Sequence, residues 1–418
     1  MSEVVEFYHK QAKDGFSTIP WFATLQAKGL HELERVGFPT RRHEEWKYTL
    51  VDALLRERFM VQENSQAEPF AQSDFPYTPQ ASVLNGQVSV NQDGLPEGVV
   101  VQSLEQALTF QEEKIKPYIG QLLQHTHGFQ ALNTAMLRCG VFIHIPAGVV
   151  VETPIVVSHA QNQDNQAVHS RLVIVVEEGA AATVIEDYWG NAECSYLTNT
   201  VTELFAAKEA KLTHYKMQRE GKKGFHIGHL AARLGHASQV QSHVISLGAQ
   251  LARSDLEISL EGEGASCLLN GIYVPTEGKH MDHHTTVNHR VPNCQSEQDY
   301  KGILLGQSRA VFNGKVIVAK DAQHTEAKQQ NKNLLLSPKA EIDTKPQLEI
   351  FADDVICTHG ATVGQLDEEA LFYLATRGIE QQDARRFLIH AFAENNLRLI
   401  NDTVLASWMT DLLSAQLR

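Results

Sequence analysis

The pattern of apolar and polar residues divides the chain into helical ends and a long β-rich middle. Residues 3–60 and 103–138 carry apolar positions at helical spacing, which predicts helices there. Residues 64–100 are rich in Pro, Gln, Ser, Asn and Gly, which predicts loops and short strands. From residue 140 to residue 356 the pattern changes to short β-rich runs such as SRLVIVVEE and QVQSHVISLG, separated by turns. No helix of ordinary length fits this middle part.

Small residues recur at regular intervals within the β-rich part. The turn alanines are separated by 30, 27, 28, 45 and 30 positions, and they are Ala180, Ala210, Ala237, Ala265, Ala310 and Ala340. A period of about 27 to 30 residues with one enlarged interval is typical of a solenoid, whose coils bury their inner side chains by stacking. A many-stranded antiparallel sandwich is the alternative, because it also produces short strands with frequent turns. The repeat favours the β-helix.

Helix signals return in the last part of the chain. Asp367 is suited to be an N-cap because two acidic residues follow it in the first turn, and Gly378 is suited to end that helix. Two further helices are predicted over residues 381–400 and 402–417. The predicted organisation is an N-terminal helical region with short strands over residues 1–139, a β-helix core over 140–360 and a C-terminal helical domain over 361–418.

Composition and charge exclude several classes of function. The 418 residues are 43% hydrophobic and 21% charged, enough to bury a large core. Fifty acidic against 36 basic residues leave a net charge of −14, which opposes binding to a nucleic-acid backbone. Five cysteines without a Cys-x-x-Cys pair indicate a reducing compartment rather than a disulfide framework. The sequence shows no export signal and no apolar run near the roughly 20 residues that cross a bilayer, so we expect a cytoplasmic protein that binds neither nucleic acid nor membrane.

The strongest candidates for chemistry are a cysteine and a histidine two residues apart, Cys357 and His359. If residues 349–359 form one strand, its period of two points Asp353, Cys357 and His359 to the same face. Thiolate and imidazole bind iron or zinc, but two ligands do not complete a tetrahedral site, so a metal here needs donors from elsewhere. Asp353 is then a candidate to orient His359 through a hydrogen bond. From these residues alone, an inert core Cys beside a hydrogen-bonded His is the alternative.

A second group of candidates is the histidine-rich run GKHMDHHTTVNH. On a strand, His280 and His284 face one way while His283 and His289 face the other, so the four rings do not converge on one metal without a bend. We expect a structural or hydrogen-bonding role for them.

Other conspicuous residues have a simpler interpretation beside a functional one. The block RRHEEWK over residues 41–47 is either a partner contact or a Trp46 packed among salt-bridged neighbours. Apolar residues of the last helices, including Phe387, Phe392 and Trp408, either contact a partner or pack internally. We expect the remaining cysteines to be small core residues, and they are Cys139, Cys194, Cys267 and Cys294. No phosphate-binding Gly-x-x-x-x-Gly-Lys-Ser/Thr loop occurs, so intrinsic ATP hydrolysis is not expected.

Three segments of the chain resemble one known family. They are PTRRHEEWKYT at 39–49, AVFNGKVIVAKDAQHTEAKQQNKNLLLSPKAEIDTKPQLEI at 310–350 and ADDVICTHGATVGQLDEEALFYLATRGI at 352–379. The resemblance is to the SufB/SufD family, subunits of the SUF system that assembles iron–sulfur clusters in bacteria. Leu374 stands where the SufB branch is expected to carry a Cys, and the first segment is typical of the SufD branch. The SufD branch is therefore favoured.

This resemblance implies a right-handed parallel β-helix between helical domains, in a non-enzymatic scaffold subunit of a SufBCD complex. It implies pairing with a SufB-like paralogue through the strands around 348–357, or a homodimer when the chain is alone. It also implies docking of a SufC-like ATPase on the C-terminal helices. Cys357 and His359 match residues implicated in nascent cluster formation or iron acquisition at the SufB–SufD interface. We therefore expect transient iron or an iron–sulfur cluster there, and no tightly bound cofactor.

Two other functions stay open on the residues alone. One is a β-helix enzyme acting on polysaccharide, since such solenoids often present carboxylates along a groove. That class usually works outside the cell, and the sequence offers neither an export signal nor a clear carboxylate constellation. The other is a metalloenzyme built on the His280 to His289 cluster, which would carry a stoichiometric metal.

Overall fold

The structure is a computed structural model that describes residues 2–61 and 73–417. The helices are Glu3–Lys13 (α1), Pro20–Val36 (α2), Asp52–Glu57 (α3), Leu104–Phe110 (α4), Glu112–Ile115 (α5), Gly128–Ala135 (α6), Glu368–Thr376 (α7), Gln381–Leu397 (α8) and Thr403–Gln416 (α9). A 3-10 turn spans Glu44–Trp46. As the sequence predicts, residues 140–356, which are all described, contain no helix.

Strands make up the rest of the regular structure in these ranges. They are Ala81–Leu84 (β1), Gln87–Val90 (β2), Val100–Ser103 (β3), Cys139–Ile145 (β4), Ile155–Gln161 (β5), Gln166–Val176 (β6), Ala181–Gly190 (β7), Tyr196–Ala206 (β8), Lys211–Gln218 (β9), Phe225–Leu234 (β10), Gln239–Ser246 (β11), Leu251–Leu260 (β12), Ser266–Tyr273 (β13), His280–His289 (β14), Gln295–Leu304 (β15), Arg309–Val318 (β16), Thr325–Leu335 (β17), Glu341–Ile350 (β18) and Val355–Gly364 (β19). Of the loops and short strands predicted over 64–100, residues 64–72 lie outside the described residues, and β1 and β2 fall in the remainder.

Consecutive strands belong alternately to two sheets, so the backbone winds as a solenoid. One sheet has ten strands in the order β19-β17-β15-β13-β11-β9-β7-β5-β1-β2, and the other has nine in the order β18-β16-β14-β12-β10-β8-β6-β4-β3. From β4 onward each strand pairs in parallel with the strand one coil later, whereas the pairs β1–β2 and β3–β4 are antiparallel. The stack begins with β4 and β5 and ends with β18 and β19. The fold is thus mainly β, a parallel β-solenoid with flanking helices, as predicted.

The strand register explains the repeat and its enlarged interval. Phe225 pairs with Leu251, 26 positions later, and Arg309 pairs with Glu341, 32 positions later. Ala265 immediately precedes β13 in the ten-stranded sheet, whereas Ala310 is the second residue of β16 in the nine-stranded sheet. The 45-residue interval between these two alanines therefore covers one full coil and the half coil that crosses from one sheet to the other.

Apolar side chains fill much of the space between the two sheets. The largest buried cluster takes inward residues from strands of both sheets, such as Val184 of β7 and Leu204 of β8. A single coil leaves these side chains exposed above and below, so the stacking of coils buries them.

Helices cover the outer faces of the sheets. The N-terminal helices pack on the nine-stranded sheet, where Phe22 of α2 and Leu108 of α4 join a cluster with Phe142 of β4 and Val173 of β6. The C-terminal helices α8 and α9 lie on the ten-stranded sheet through an apolar cluster that includes Met409. The predicted caps of α7 are present, since Asp367 accepts from two backbone N–H groups and Gly378 adopts a left-handed φ of 82°.

Candidate functional site

The last coil of the solenoid carries Cys357 and His359 on β19. This strand lies at the edge of the ten-stranded sheet, and among the described strands its ladder partner is β17, in parallel. Within the ladder, Ala327 is the partner of Cys357 and Gln329 is the partner of His359. Two residues of one strand separated by a single position project to the same face, so the thiol and the imidazole share one surface.

Cys357 faces the interior of the solenoid. Together with Val355 it packs, half-buried, against an apolar cluster that includes Val316 and Val318 of β16 and Ala327 of β17. Burial raises the pKa of the Cys357 thiol above its usual range. The free thiol is therefore mainly protonated at neutral pH, and a bound metal cation would favour the thiolate.

His359 lies on the same inner face but is exposed, because no further coil of the described chain covers β19. The prediction of one strand over residues 349–359 is wrong, since residues 351–354 belong to no strand and bend at Asp353 and Asp354. The assumed continuous strand from 349 to 359 is instead two strands in different sheets. Asp353 is therefore not part of the alternation that places Cys357 and His359 on one face, and its role as an orienting group stays a prediction.

The free edge of β19 exposes backbone groups that the described strands do not pair. The carbonyl of Asp354 accepts a hydrogen bond from the N–H of His324, just before β17. The backbone groups of Asp354 and of every second residue after it therefore point toward β17. Successive residues of a strand direct these groups to opposite sides, so Cys357, His359 and Ala361 direct theirs to the free edge. A strand of a second chain can continue the sheet at this edge.

The neighbouring edge, β18, is less suited to accept another strand. The N–H of Glu341 donates to Ser308, and the N–H of Phe351 just beyond the strand donates to Val318, so odd-numbered residues point toward β16. Pro346 is consequently on the free side, where it lacks an N–H group. A run of apolar side chains is nevertheless exposed along this end of the solenoid, and it comprises Ile350, Phe351, Ile356 and Val363.

The histidine-rich run divides as the sequence predicts. On the outer face of β14, His284 contacts Asp282 and Glu45, and His280 lies 3.1 Å from the hydroxyl of Thr49. On the inner face, His283 stacks on Tyr273 with ring centroids 5.1 Å apart. Within residues 2–61 and 73–417, no three His, Cys, Asp or Glu side chains are arranged to hold a metal ion.

The RRHEEWK block packs against the nine-stranded sheet. Trp46 is buried beneath the guanidinium of Arg253, which lies 3.7 Å from the ring centroid. Glu45 accepts a hydrogen bond from Asn313 of β16 at 2.7 Å. Of the two interpretations of this block, the contacts support packing for Trp46 and Glu45.

The aromatic candidates of the C-terminal helices differ in exposure. Phe387 is 62% exposed, whereas Phe392 is half-buried beneath the ammonium of Lys301. Trp408 is also half-buried, between Phe75 and Arg219. Internal packing therefore accounts for Phe392 and Trp408, and Phe387 stays available for a partner.

The structure adds two exposed aromatics that the sequence reasoning did not select. Phe372 and Tyr373 of α7 are 72% and 56% exposed. The sequence indicates this exposure, because the two aromatics are adjacent. Two consecutive residues of a helix cannot both face one narrow buried stripe. With Phe387 they leave apolar surface uncovered on the C-terminal helices.

In the described parts of the chain, the remaining cysteines belong to no group of three or more His, Cys, Asp or Glu side chains that could hold a metal ion. Cys267 and Cys294 are buried, while Cys139 and Cys194 are half-buried. Burial raises the pKa of Cys139 and that of Cys267 to about 12. They accord with the expected structural role.

Family comparisons agree with the fold and with the motifs of the terminal coil. The model described as "SUF system FeS cluster assembly, SufBD core domain" matches residues 159–392, and the one described as "SufBD protein N-terminal region" matches residues 4–157. The chain belongs to the SufBD family. Among SufBD relatives, iron-sulfur cluster assembly protein SufD of Escherichia coli K12 is 33% identical over 399 residues, which cover 89% of this chain and 88% of the relative.

Two further relatives extend the similarity beyond one organism. The SufBD family protein slr0076 of Synechocystis is 33% identical over 379 residues, covering 86% of this chain and 83% of the relative. Protein ABCI7, chloroplastic, of Arabidopsis thaliana is 30% identical over 373 residues, covering 85% and 78%. Across the described segments of the chain, no helix has the length and apolar character needed to cross a membrane.

Proposed function

We propose that this chain is a non-enzymatic scaffold subunit of the SUF machinery for iron–sulfur cluster assembly. In this proposal it pairs with a SufB-like paralogue at its last coil and with a SufC-like ATPase through its C-terminal helices. Iron or a nascent cluster is the cargo, held transiently where the paralogue meets Cys357 and His359. The observation that carries the proposal is the presence of these two side chains on one face of an edge strand at an open coil.

The chemistry of two ligands supports transient binding. A thiolate and an imidazole leave coordination positions open on iron, and a second chain docked on β19 is placed to supply the missing donors. A site completed by two proteins can release its cargo when they separate or shift. Closed sites with four ligands from one chain hold a metal more permanently.

The partner surfaces follow from the exposed groups. The free backbone groups of β19 and the exposed Ile356 and Val363 suit strand addition by another solenoid end, which is a SufB-like chain in the complex or a second copy when the chain is alone. The exposed Phe372, Tyr373 and Phe387 suit an apolar groove on the ATPase. ATP turnover then belongs to that partner.

Removing either candidate ligand is expected to impair cluster assembly while leaving the complex intact. For Cys357→Ala or His359→Ala, we expect iron and sulfide retained by the purified complex to fall by at least about tenfold, because losing one donor weakens a site that has only two from this chain. The measurement is iron and sulfide content after anaerobic reconstitution. Thr358→Ala is the matched control, since Thr358 lies between the two residues on the opposite face. Unchanged cluster content in both variants would remove the site assignment.

Blocking the free edge of β19 is expected to prevent pairing with the paralogue. Ala361→Pro deletes an N–H that has no ladder partner among the described strands, and the preceding Gly360 tolerates a following proline. An unmade hydrogen bond and the proline ring together predict roughly 10- to 100-fold weaker association, measured by biolayer interferometry with the SufB-like chain. Ala361→Val keeps the N–H and serves as control. Equal affinities for the two variants would contradict strand addition at this edge.

A further inference from the structure

An inner column of polar side chains leads directly to His359. Gln298 of β15, Gln329 of β17 and His359 of β19 occupy the same register position on three neighbouring strands. Gln298 and Gln329 are only 1% and 2% exposed, so their amides are cut off from water. Most buried side-chain polar atoms have at least one hydrogen-bond partner.

In the structure, the hydrogen bonds of this column direct the Gln329 amide nitrogen toward Gln298, whose own Nε2 has no partner among the described residues. Nε2 of Gln329 donates to Oε1 of Gln298 at 3.3 Å, and the same oxygen accepts from the hydroxyl of Thr285 at 2.6 Å. Reversing the amide would place its carbonyl against the carbonyl of Gln298. The amide nitrogen of Gln329 is therefore directed to the preceding coil, and its oxygen is left for another donor.

That oxygen has no partner within the described ranges. Oε1 of Gln329 is buried and accepts no hydrogen bond from the described residues. A buried carbonyl without a hydrogen-bond donor destabilises the folded state. The ladder partner of Gln329 on the open side is His359, whose side chain projects from the same face.

A glycine across the interior makes room for this amide. A Cβ atom on Gly314 of β16 would lie 2.2 Å from Nε2 of Gln329. Any larger residue at position 314 would displace the amide from its present place. The position of the Gln329 side chain thus depends on contacts from β15 and β16 as well as on its own strand.

We propose that Gln329 is a positioning residue for His359. Its Oε1 accepts the N–H of the imidazole, which leaves the other ring nitrogen unprotonated and directed toward the iron. This inference rests on the proposed function. Histidines that bind metals commonly donate their second N–H to a carbonyl or carboxylate, and that bond sets the tautomer and the ring orientation. Gln329, the ladder partner of His359, supplies such an acceptor through its unpaired oxygen.

The test uses Co²⁺ as the probe metal on the complex of this chain with its SufB-like and SufC-like partners. The thiolate-to-cobalt absorption band reports binding at Cys357 and is expected to disappear in Cys357→Ala. Gln329→Met removes the acceptor and is expected to weaken Co²⁺ binding roughly tenfold. Gly314→Ala displaces the amide and is expected to act in the same direction.

Two controls separate positioning from a structural effect. Gln329→Glu keeps an acceptor oxygen at the same reach, and its protonated carboxyl can donate to Gln298 in place of Nε2. This variant is expected to bind Co²⁺ with near the wild-type affinity, which a loss of packing would not allow. Gln330→Met alters the adjacent, exposed residue of β17 and is expected to change nothing. Thermal melting of each variant shows whether the solenoid is intact.

The outcomes distinguish this inference from the proposed function. Wild-type Co²⁺ affinity in a folded Gln329→Met variant, with binding still lost in Cys357→Ala, would overturn the role of Gln329 alone. Equal weakening of Co²⁺ binding by Gln329→Met and Gln329→Glu would overturn that role as well. If Cys357→Ala also binds Co²⁺ normally, the proposed cargo site itself fails.

Discussion

Glu203→Leu is expected to lower the free energy of unfolding by about 3 to 5 kcal/mol, because it leaves a buried guanidinium without its counter-ion. The Glu203 carboxylate lies 2.6 Å from Nη1 of Arg171, and both side chains are fully buried. The carboxylate also accepts from the backbone N–H groups of Gly120 and Leu122, at 2.7 and 3.0 Å. The Glu203 side chain of β8 therefore connects β6 and the segment after α5 through direct hydrogen bonds.

Chemical denaturation followed by circular dichroism measures this effect. The double variant Arg171→Met with Glu203→Leu is the informative comparison, because it removes both charges and leaves apolar groups of similar length. We expect the double variant to recover part of the stability lost in Glu203→Leu. A Glu203→Leu protein within about 1 kcal/mol of the wild type would show that the pair contributes no more than an exposed one.

Lowering the pH from 7 to 4 is expected to unfold the protein, because many imidazoles are buried in their neutral form. Burial lowers the pKa of these histidines to about 4, or about 3 for His169, and they are His159, His169, His229, His243, His283 and His289. An unfolded histidine titrates near 6.5. Each buried imidazole then opposes folding by about 3 kcal/mol at pH 4, and a few of them equal the whole stability of a typical domain.

The direction of this pH effect on stability follows from proton uptake. Between pH 6.5 and 4 the unfolded chain binds protons that the folded chain does not, so stability falls as the pH falls through this window. His284 acts in the opposite sense. Burial and Arg253 lower its pKa, but Asp282 and Glu45 outweigh them and raise it, so its contribution is lost as the pH rises.

His283→Phe isolates one of these groups. The ring of His283 stacks on Tyr273, and neither of its nitrogens has a hydrogen-bond partner among the described residues, so phenylalanine keeps the ring and removes the titration. Urea denaturation at pH 7, 6, 5 and 4.5 is expected to give a slope smaller by about 1.4 kcal/mol per pH unit than the wild type. His236→Gln, at an exposed turn, is the control. Stability that does not change between pH 6.5 and 4.5 would contradict the prediction.

The solenoid could be predicted because its cause is local. Each coil contains its own turn and its own short strands, so turn alanines recur along the sequence at a near-constant spacing. Each coil then stacks on its neighbours. The enlarged interval could not be interpreted from the sequence, because Ala265 and Ala310 lie near the starts of strands that belong to different sheets. Only the backbone shows that crossing. Helix caps such as Asp367 and Gly378 were predictable for the same local reason.

The site was predictable only in part. That Cys357 and His359 share a face follows from the period of a strand, and the structure places both on β19. Asp353 shares that face only if residues 349–359 form one strand, whereas the chain leaves the strand after Ile350 and bends at Asp353 and Asp354. The sequence does not indicate that Gln329 belongs to the site. It pairs with His359, 30 positions later, only through the register between β17 and β19. Such a register is set by the size of the intervening coil.

Electron–nuclear double resonance on the reconstituted complex tests the central claim most directly. This chain alone would carry ¹⁵N-labelled histidine, and the reduced cluster would be the paramagnetic centre. We expect a ¹⁵N coupling to the cluster that is lost in His359→Ala and kept in Thr358→Ala. A wild-type spectrum without such a coupling, or one unchanged in His359→Ala, would contradict the claim that the inner face of β19 holds the cargo.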